Sequence, residues 1–135
     1  MVWLSVCNSS ARSTKICLVR SVLIVDDHPT FRASARRLLE AEGFDVVGEA
    51  SDGHAAIAAV QQLQPDLVLL DVQLPDLDGF EVAARLAALG SPSAVVLTSS
   101  RNPAEYGSVV SETAVRGFVP KAELSGAVLT ALLSL

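Results

Sequence analysis

Four short apolar runs, each delivering a polar side chain at its carboxyl end, constrain the fold of this chain more than any other feature. They are Val22-Leu23-Ile24-Val25 into Asp26-Asp27, Leu67-Val68-Leu69-Leu70 into Asp71, Ala94-Val95-Val96-Leu97 into Thr98, and Gly117-Phe118-Val119-Pro120 into Lys121. Runs of this length, rich in Val, Ile and Leu and separated by helical patterns, read as buried strands of a parallel sheet. In an open α/β sheet the carboxyl ends share one edge, and ligands bind in the crevice beyond it. Three carboxylates, a hydroxyl and an ammonium are therefore expected to meet there.

The segments between the runs change period from strand to helix. Pro29 suits the opening turn of a helix whose apolar residues Phe31, Ala35, Leu38 and Leu39 fall at helical spacing, and Gly43 stops it. Residues 44–49 alternate as a second strand, and Ala55, Ala56, Ala59, Val60 and Leu63 make a second helix that Pro65 ends. Phe80, Ala83, Ala84 and Ala87 give a third helix its inner face. A weak fourth helix over about 103–113 carries Gly107, at a cost of about 1 kcal/mol relative to Ala. In the final helix Leu124, Ala127, Val128, Ala131 and Leu132 are expected on the core side. Five βα units predict an α/β fold: a flavodoxin-like, doubly wound (βα)5 sandwich, its five-stranded parallel sheet in the order 2-1-3-4-5. The switch point between the first and third strands then unites Asp26, Asp27 and Asp71.

A chain of 135 residues, half of them apolar, suits one core. Residues 21–135 are expected to form it, with residues 1–20, Ser-rich and basic, as a loose extension. A net charge of -5 argues against direct nucleic-acid binding, which needs a basic footprint. Nothing approaches the 18 or so uninterrupted apolar residues of a membrane span. Cys7 and Cys17 show neither metal-ligand spacing nor a disulfide framework, so a cytoplasmic protein is expected.

Three carboxylates in one crevice repel one another, and a bound cation relieves that repulsion. Oxygen ligands favour a hard ion, and Mg²⁺ accepts one or two carboxylates while keeping waters that a phosphate can replace. A carboxylate beside such an ion is a plausible nucleophile toward a phosphoryl group. Thr98 could then donate a hydrogen bond to one phosphoryl oxygen and Lys121 supply a positive charge to another.

These residues resemble the receiver domain of two-component response regulators. The resemblance is carried by Val25-Asp26-Asp27-His28-Pro29, Leu70-Asp71 followed by Leu74-Pro75-Asp76-Leu77-Asp78-Gly79, Leu97-Thr98-Ser99, and Gly117-Phe118-Val119-Pro120-Lys121. His28-Pro29 and residues 47–53 are similar to the LuxR/NarL-type subgroup, whose receivers usually precede a DNA-binding domain. The resemblance implies that Asp71 accepts a phosphoryl group from the phosphohistidine of a sensor histidine kinase or phosphotransfer protein. It implies Mg²⁺ held by Asp27, Asp71 and the backbone carbonyl of Gln73, with Asp26 on a metal-bound water. It also implies a switch in which Thr98 swings toward the phosphoryl group and Phe118 moves inward behind it, altering the face made by the fourth helix, last strand and last helix. Phe118 departs from the tyrosine type in lacking a hydroxyl, and Ala122 follows Lys121 where the family commonly has proline.

The remaining polar residues have blander readings. His28, weighed as a metal ligand or phosphoryl carrier, reads as a loop residue near a helix start, and His54 as a solvated side chain. Asp76 and Asp78 read as turn formers. Leu129, Leu133 and Leu135 are expected on the outer surface of the last helix, where an apolar patch would suit a homodimer. The reading is a stand-alone receiver whose output passes through a downstream effector protein. Its rivals are a truncated LuxR-type transcription regulator, a phosphate-independent interaction domain, and an aspartyl-phosphate phosphatase of the haloacid dehalogenase type. The last wants a second acid where Gln73 stands.

Overall fold

The computed structural model describes residues 20–100 and 115–133. Five strands, β1 (Ser21–Val25), β2 (Asp45–Ala50), β3 (Leu67–Asp71), β4 (Ala94–Ser99) and β5 (Gly117–Pro120), form one sheet in the order β2-β1-β3-β4-β5. All neighbours pair in parallel. Helices α1 (Pro29–Ala41), α2 (Gly53–Leu63), α3 (Gly79–Ala88) and α4 (Gly126–Leu133) are joined to them in βα alternation, with a 3-10 turn at Lys121–Glu123. The expected architecture and strand order are thus found. The helix expected over about 103–113, with Gly107, lies outside the described residues.

Strand alternation divides the core between the two faces. Val22, Ile24, Leu67, Leu69, Val96 and Val119 pack against Ala35 and Leu39 of α1 and Leu129 and Leu133 of α4. Leu23, Val25, Val68, Leu70, Val95 and Leu97 point the other way, toward Ala56 and Val60 of α2 and Val82, Ala83 and Leu86 of α3. Central strands buried on both sides leave no room for polar residues, which is why their sequences are uninterrupted Val, Ile and Leu. The edge strand β2 alternates instead, and Val47 beside its register shift is exposed.

Local chemistry sets the helix ends. Asp52 and Asp78 cap α2 and α3 through hydrogen bonds to the N–H groups of Ala55 and Glu81, at 2.7 and 2.8 Å. At α4, Ser125 accepts from Val128 N–H, and the Glu42 carboxylate from the far side of α1 accepts from Gly126 N–H. A side chain at position 126 would collide with that carboxylate, so glycine there permits the α1–α4 clasp.

Two helix phases depart from expectation. In α3 the buried face is Val82, Ala83 and Leu86, whereas Ala84 and Ala87 are exposed. In α4 Leu129 and Leu133 are core residues, Val128 and Leu132, with Leu124 just before the helix, pack against that core as expected, and Ala127 and Ala131 face solvent. Both helices carry apolar residues most of the way round, so periodicity could not mark the inner side; the bulkier Leu and Val took it. Leu129 and Leu133, expected in an outward apolar stripe, are therefore core and lend the homodimer expectation no support; Leu135, the third residue of that stripe, lies outside the described residues. Among the described residues no helix is long and apolar enough to cross a membrane.

Candidate functional site

Four strands end at the same edge of the sheet, and each brings its expected group there. Asp26 follows β1 and is buried, its N–H donating to Ala50 O at 3.0 Å. Asp71 ends β3 and is buried, Thr98 stands beside it in the β3–β4 ladder, and Lys121 follows β5. Lys121 Nζ lies 2.6 Å from Asp26 Oδ2 and 3.5 Å from Asp71 Oδ2, spanning the crevice between the two acids. The same ammonium sits 4.6 Å from the centre of the Phe31 ring on α1, a cation–π contact that steadies a long flexible side chain.

Two buried oxygens stand out. Thr98 Oγ1 is buried without a hydrogen-bond partner, and Asp26 Oδ2 has the ammonium of Lys121 as its charge partner but no aligned hydrogen bond. Buried polar atoms are almost always satisfied, because leaving one unpaired costs about 1 to 3 kcal/mol. The Thr98 hydroxyl, left without a partner in a crevice of charged groups, marks a place arranged to receive a polar group.

The loop after β3 is held from several directions. Gln73 N–H donates to Asp71 Oδ1 at 3.3 Å, and Gly79 N–H donates to Val72 O at 2.6 Å. A Cβ at position 79 would stand 2.6 Å from Asp71 O and 2.9 Å from Val72 Cα, so only glycine lets α3 begin so close to the acid. Farther along, Asp76 accepts from the N–H groups of Gly53, His54 and Leu77 and lies 2.5 Å from His54 Nδ1, fastening the loop to the start of α2. Partial desolvation works against its ionised form, but these donors outweigh it and hold the Asp76 carboxyl far below the usual carboxylate range. His54 is therefore a loop anchor, not only a solvated residue, while Asp78 is the helix cap its turn chemistry suggests.

Burial is the main influence on Asp71, followed by the charge of Asp26; the Lys121 ammonium and the Gln73 N–H act the other way. Together they push the Asp71 carboxyl up to about 6. Its ionised form is thus short of positive charge in this crevice, which suits a site completed by a cation. Asp26, Asp27, His28 and Asp71 each present a ligand atom, all within 4.8 Å of one another. The oxygens suit a hard ion such as Mg²⁺.

Sequence reasoning weighed His28 as a metal ligand but read it only as a loop residue near a helix start, and it missed Arg32. His28 caps α1 with an exposed ring whose Nδ1 is 3.0 Å from Asp26 Oδ1 and 3.0 Å from Asp27 Oδ1, while its N–H donates to Asp26 Oδ1 at 2.8 Å. Arg32 Nη1 donates to Asp26 O at 2.6 Å and its Nε to Glu49 Oε1 at 3.0 Å, locking the main chain of the acid pair to β2. Spacing offered a signal in the first case only: residue 28 follows the acid pair directly. Phe118 is half-buried in β5 and packs on the core of the α2–α3 face.

This geometry can be set beside known proteins. The model of the response regulator receiver domain matches residues 22–133. The chain belongs to that family. The transcription regulator BvgA of Bordetella pertussis is 40% identical over 106 residues, 78% of this chain and 51% of BvgA. The DNA-binding transcriptional activator EvgA of Escherichia coli K12 is 30% identical over 112 residues, 83% of this chain and 55% of EvgA. The receiver thus spans about half the length of these curated relatives. Among solved structures, the receiver domain of NarL from Mycobacterium tuberculosis is similar at 35% identity and a TM-score of 0.74, covering 84% of this chain and 96% of that one. A LuxR-family response regulator from Aurantimonas aligns with a TM-score of 0.77 at 27% identity, over 86% of each chain. The expected likeness to LuxR- and NarL-type receivers is found, and the dehalogenase-type reading is not carried further.

Proposed function

We propose that this receiver is a phosphorylation-controlled switch of a two-component phosphorelay in which Asp71 accepts a phosphoryl group from a phosphohistidine, with Mg²⁺ bound. The observation that carries the reading is the bridge of Lys121 between Asp26 and Asp71, beside the unpartnered hydroxyl of Thr98. Asp27, Asp71 and the backbone carbonyl of Gln73 would hold the ion, and Asp26 a water bound to it. When bound, Mg²⁺ supplies positive charge that lets a carboxylate and a phosphoryl group approach each other.

An Asp71 carboxylate oxygen attacks phosphorus, the acyl phosphate O–P bond forms, and the P–N bond to the donor imidazole breaks. The imidazole keeps the bonding electron pair. Lys121 stays near the transferred group and offsets its charge, and the Thr98 hydroxyl donates a hydrogen bond to a phosphoryl oxygen. Reorientation of Thr98 leaves space behind it, which Phe118 fills by turning inward; this carries the state of the site to the β5 edge. The donor is a sensor histidine kinase or phosphotransfer protein, and output passes through a downstream effector protein in the cytoplasm. The receiver unit is residues 21–135, with residues 1–20 as an extension.

Incubation with Mg²⁺ and acetyl phosphate, followed by intact-mass measurement, tests this. Wild type should gain one phosphate and Asp71→Asn none; an unchanged wild-type mass with Mg²⁺ demonstrably bound would refute it. A second reading, a receiver that belongs to a LuxR-type transcription regulator, is favoured by the half-length match to BvgA and EvgA. Genomic sequence downstream of residue 135 distinguishes the two.

A further inference from the structure

The phosphoryl reading gives His28 no task, yet its ring lies against two of the carboxylates that reading requires. We propose that His28 is a nitrogen ligand of the same centre, so that it takes an imidazole-seeking divalent transition ion, Zn²⁺ being the test case, with a selectivity over Mg²⁺ that His28 confers. The inference rests on reading Asp26, Asp27 and Asp71 as the ion's carboxylate partners.

Three observations carry it. First, Nδ1 is 3.0 Å from Asp26 Oδ1 and 3.0 Å from Asp27 Oδ1. Metal bonds of about 2.1 Å at right angles set neighbouring ligand atoms about 3.0 Å apart, so Nδ1 already stands at that spacing from Asp27 Oδ1, a direct ligand in that reading, and equally close to Asp26 Oδ1. Second, the backbone that carries the ring is fixed: His28 is the extended N-cap residue of α1, its N–H bonded to Asp26 Oδ1, and Pro29 follows it at the first helical position. The main chain then needs little further ordering on metal binding. Third, the crevice below is built for a guest, since Thr98 Oγ1 is buried and unpartnered beside Asp71.

Ligand chemistry supplies the selectivity. Mg²⁺ gains little from an imidazole, whereas Zn²⁺ and its neighbours bind nitrogen strongly. A carboxylate-only site already favours Zn²⁺ over Mg²⁺, so the quantity that reports His28 is the change in the ratio of the two affinities. An ion held through His28 would also compete for the place the phosphoryl step needs, giving the centre a transition-metal inhibitor.

The test uses the full chain stripped of metal, titrated calorimetrically with Zn²⁺ alone and with Mg²⁺ alone. Wild type is compared with His28→Ala, His28→Asn and His54→Ala; asparagine is a favoured N-cap, so at least one variant at position 28 should fold. The ratio of Zn²⁺ to Mg²⁺ affinity should fall at least tenfold in both position-28 variants and hold in His54→Ala. Co²⁺ bound to wild type should show a visible spectrum that changes in His28→Asn. A ratio within twofold of wild type in both, or Zn²⁺ binding lost in His54→Ala instead, overturns the proposal. Zn²⁺ binding through His28 without Mg²⁺-dependent phosphorylation would sustain this inference and remove the phosphoryl reading; binding of neither ion would remove both.

Discussion

Asp71 is strained electrostatically where Thr98 is strained by an empty hydrogen-bond site, and each gives a variant to measure. Raised from 3.8 to about 6, Asp71 holds a proton more tightly in the folded than in the unfolded chain. Its contribution to stability is thus full below about pH 4 and is lost as pH rises through about 6, amounting to about 3 kcal/mol at roughly 1.4 kcal/mol per unit. Denaturant melts of the metal-free protein should show Asp71→Asn gaining on wild type by about that much between pH 4 and 7, with Mg²⁺ narrowing the difference. For Thr98, replacement of an unpartnered buried hydroxyl by a methyl in Thr98→Val should leave stability unchanged or raise it by about 1 kcal/mol. Phosphorylation by acetyl phosphate should slow roughly 10- to 100-fold, the value of a charge-assisted hydrogen bond. The positions of Asp26, Asp71, Thr98 and Lys121 were legible in the sequence because each follows an apolar run. Arg32 and the Asp76–His54 contact were not, since their partners lie on other elements or far along the chain and no spacing rule connects them; His28 adjoins its partners Asp26 and Asp27, but its place at the helix start offered a plainer reading.

At the scale of elements, the start of α3 and the phase of α4 are the informative points. Gly79→Ala places a methyl group against the Asp71 carbonyl, so α3 must retreat or β3 must bend. A loss of about 1 to 3 kcal/mol in melting experiments is expected, with weaker Mg²⁺ binding, because the loop that carries Gln73 moves with it. In α4, Leu129→Ala should cost about 2 to 5 kcal/mol, as befits a fully buried leucine, while Ala131→Glu should stay within about 0.5 kcal/mol of wild type. The reverse ranking would restore the outward apolar stripe that the sequence pattern suggested. That pattern placed every described strand and α-helix, but it oriented α3 and α4 only in part: Ala83, Val128 and Leu132 pack on the core as expected, whereas Ala84, Ala87, Ala127 and Ala131 do not. Alanine and leucine on most sides leave the helical period without contrast, and only packing against the sheet selects a face.

For the whole molecule, the decisive property is that β1 and β3 are neighbours although β2 separates them in sequence. This crossing brings Asp26 and Asp27 to Asp71, and β4 and β5 add Thr98 and Lys121 at the same edge. The switch point between the first and third strands was readable from the runs and the acids at their ends, whereas alternation alone is compatible with more than one strand order. Membership of the receiver family follows from the matched 112-residue span from 22 to 133. The central claim is that this edge makes Asp71, and no other residue, the phosphoryl acceptor. Borohydride reduction of the protein after treatment with Mg²⁺ and acetyl phosphate, followed by peptide mass mapping, tests it most directly. The account predicts homoserine in place of Asp71 and none when the metal is chelated beforehand. Homoserine at another aspartate, or the same yield without metal, would contradict it.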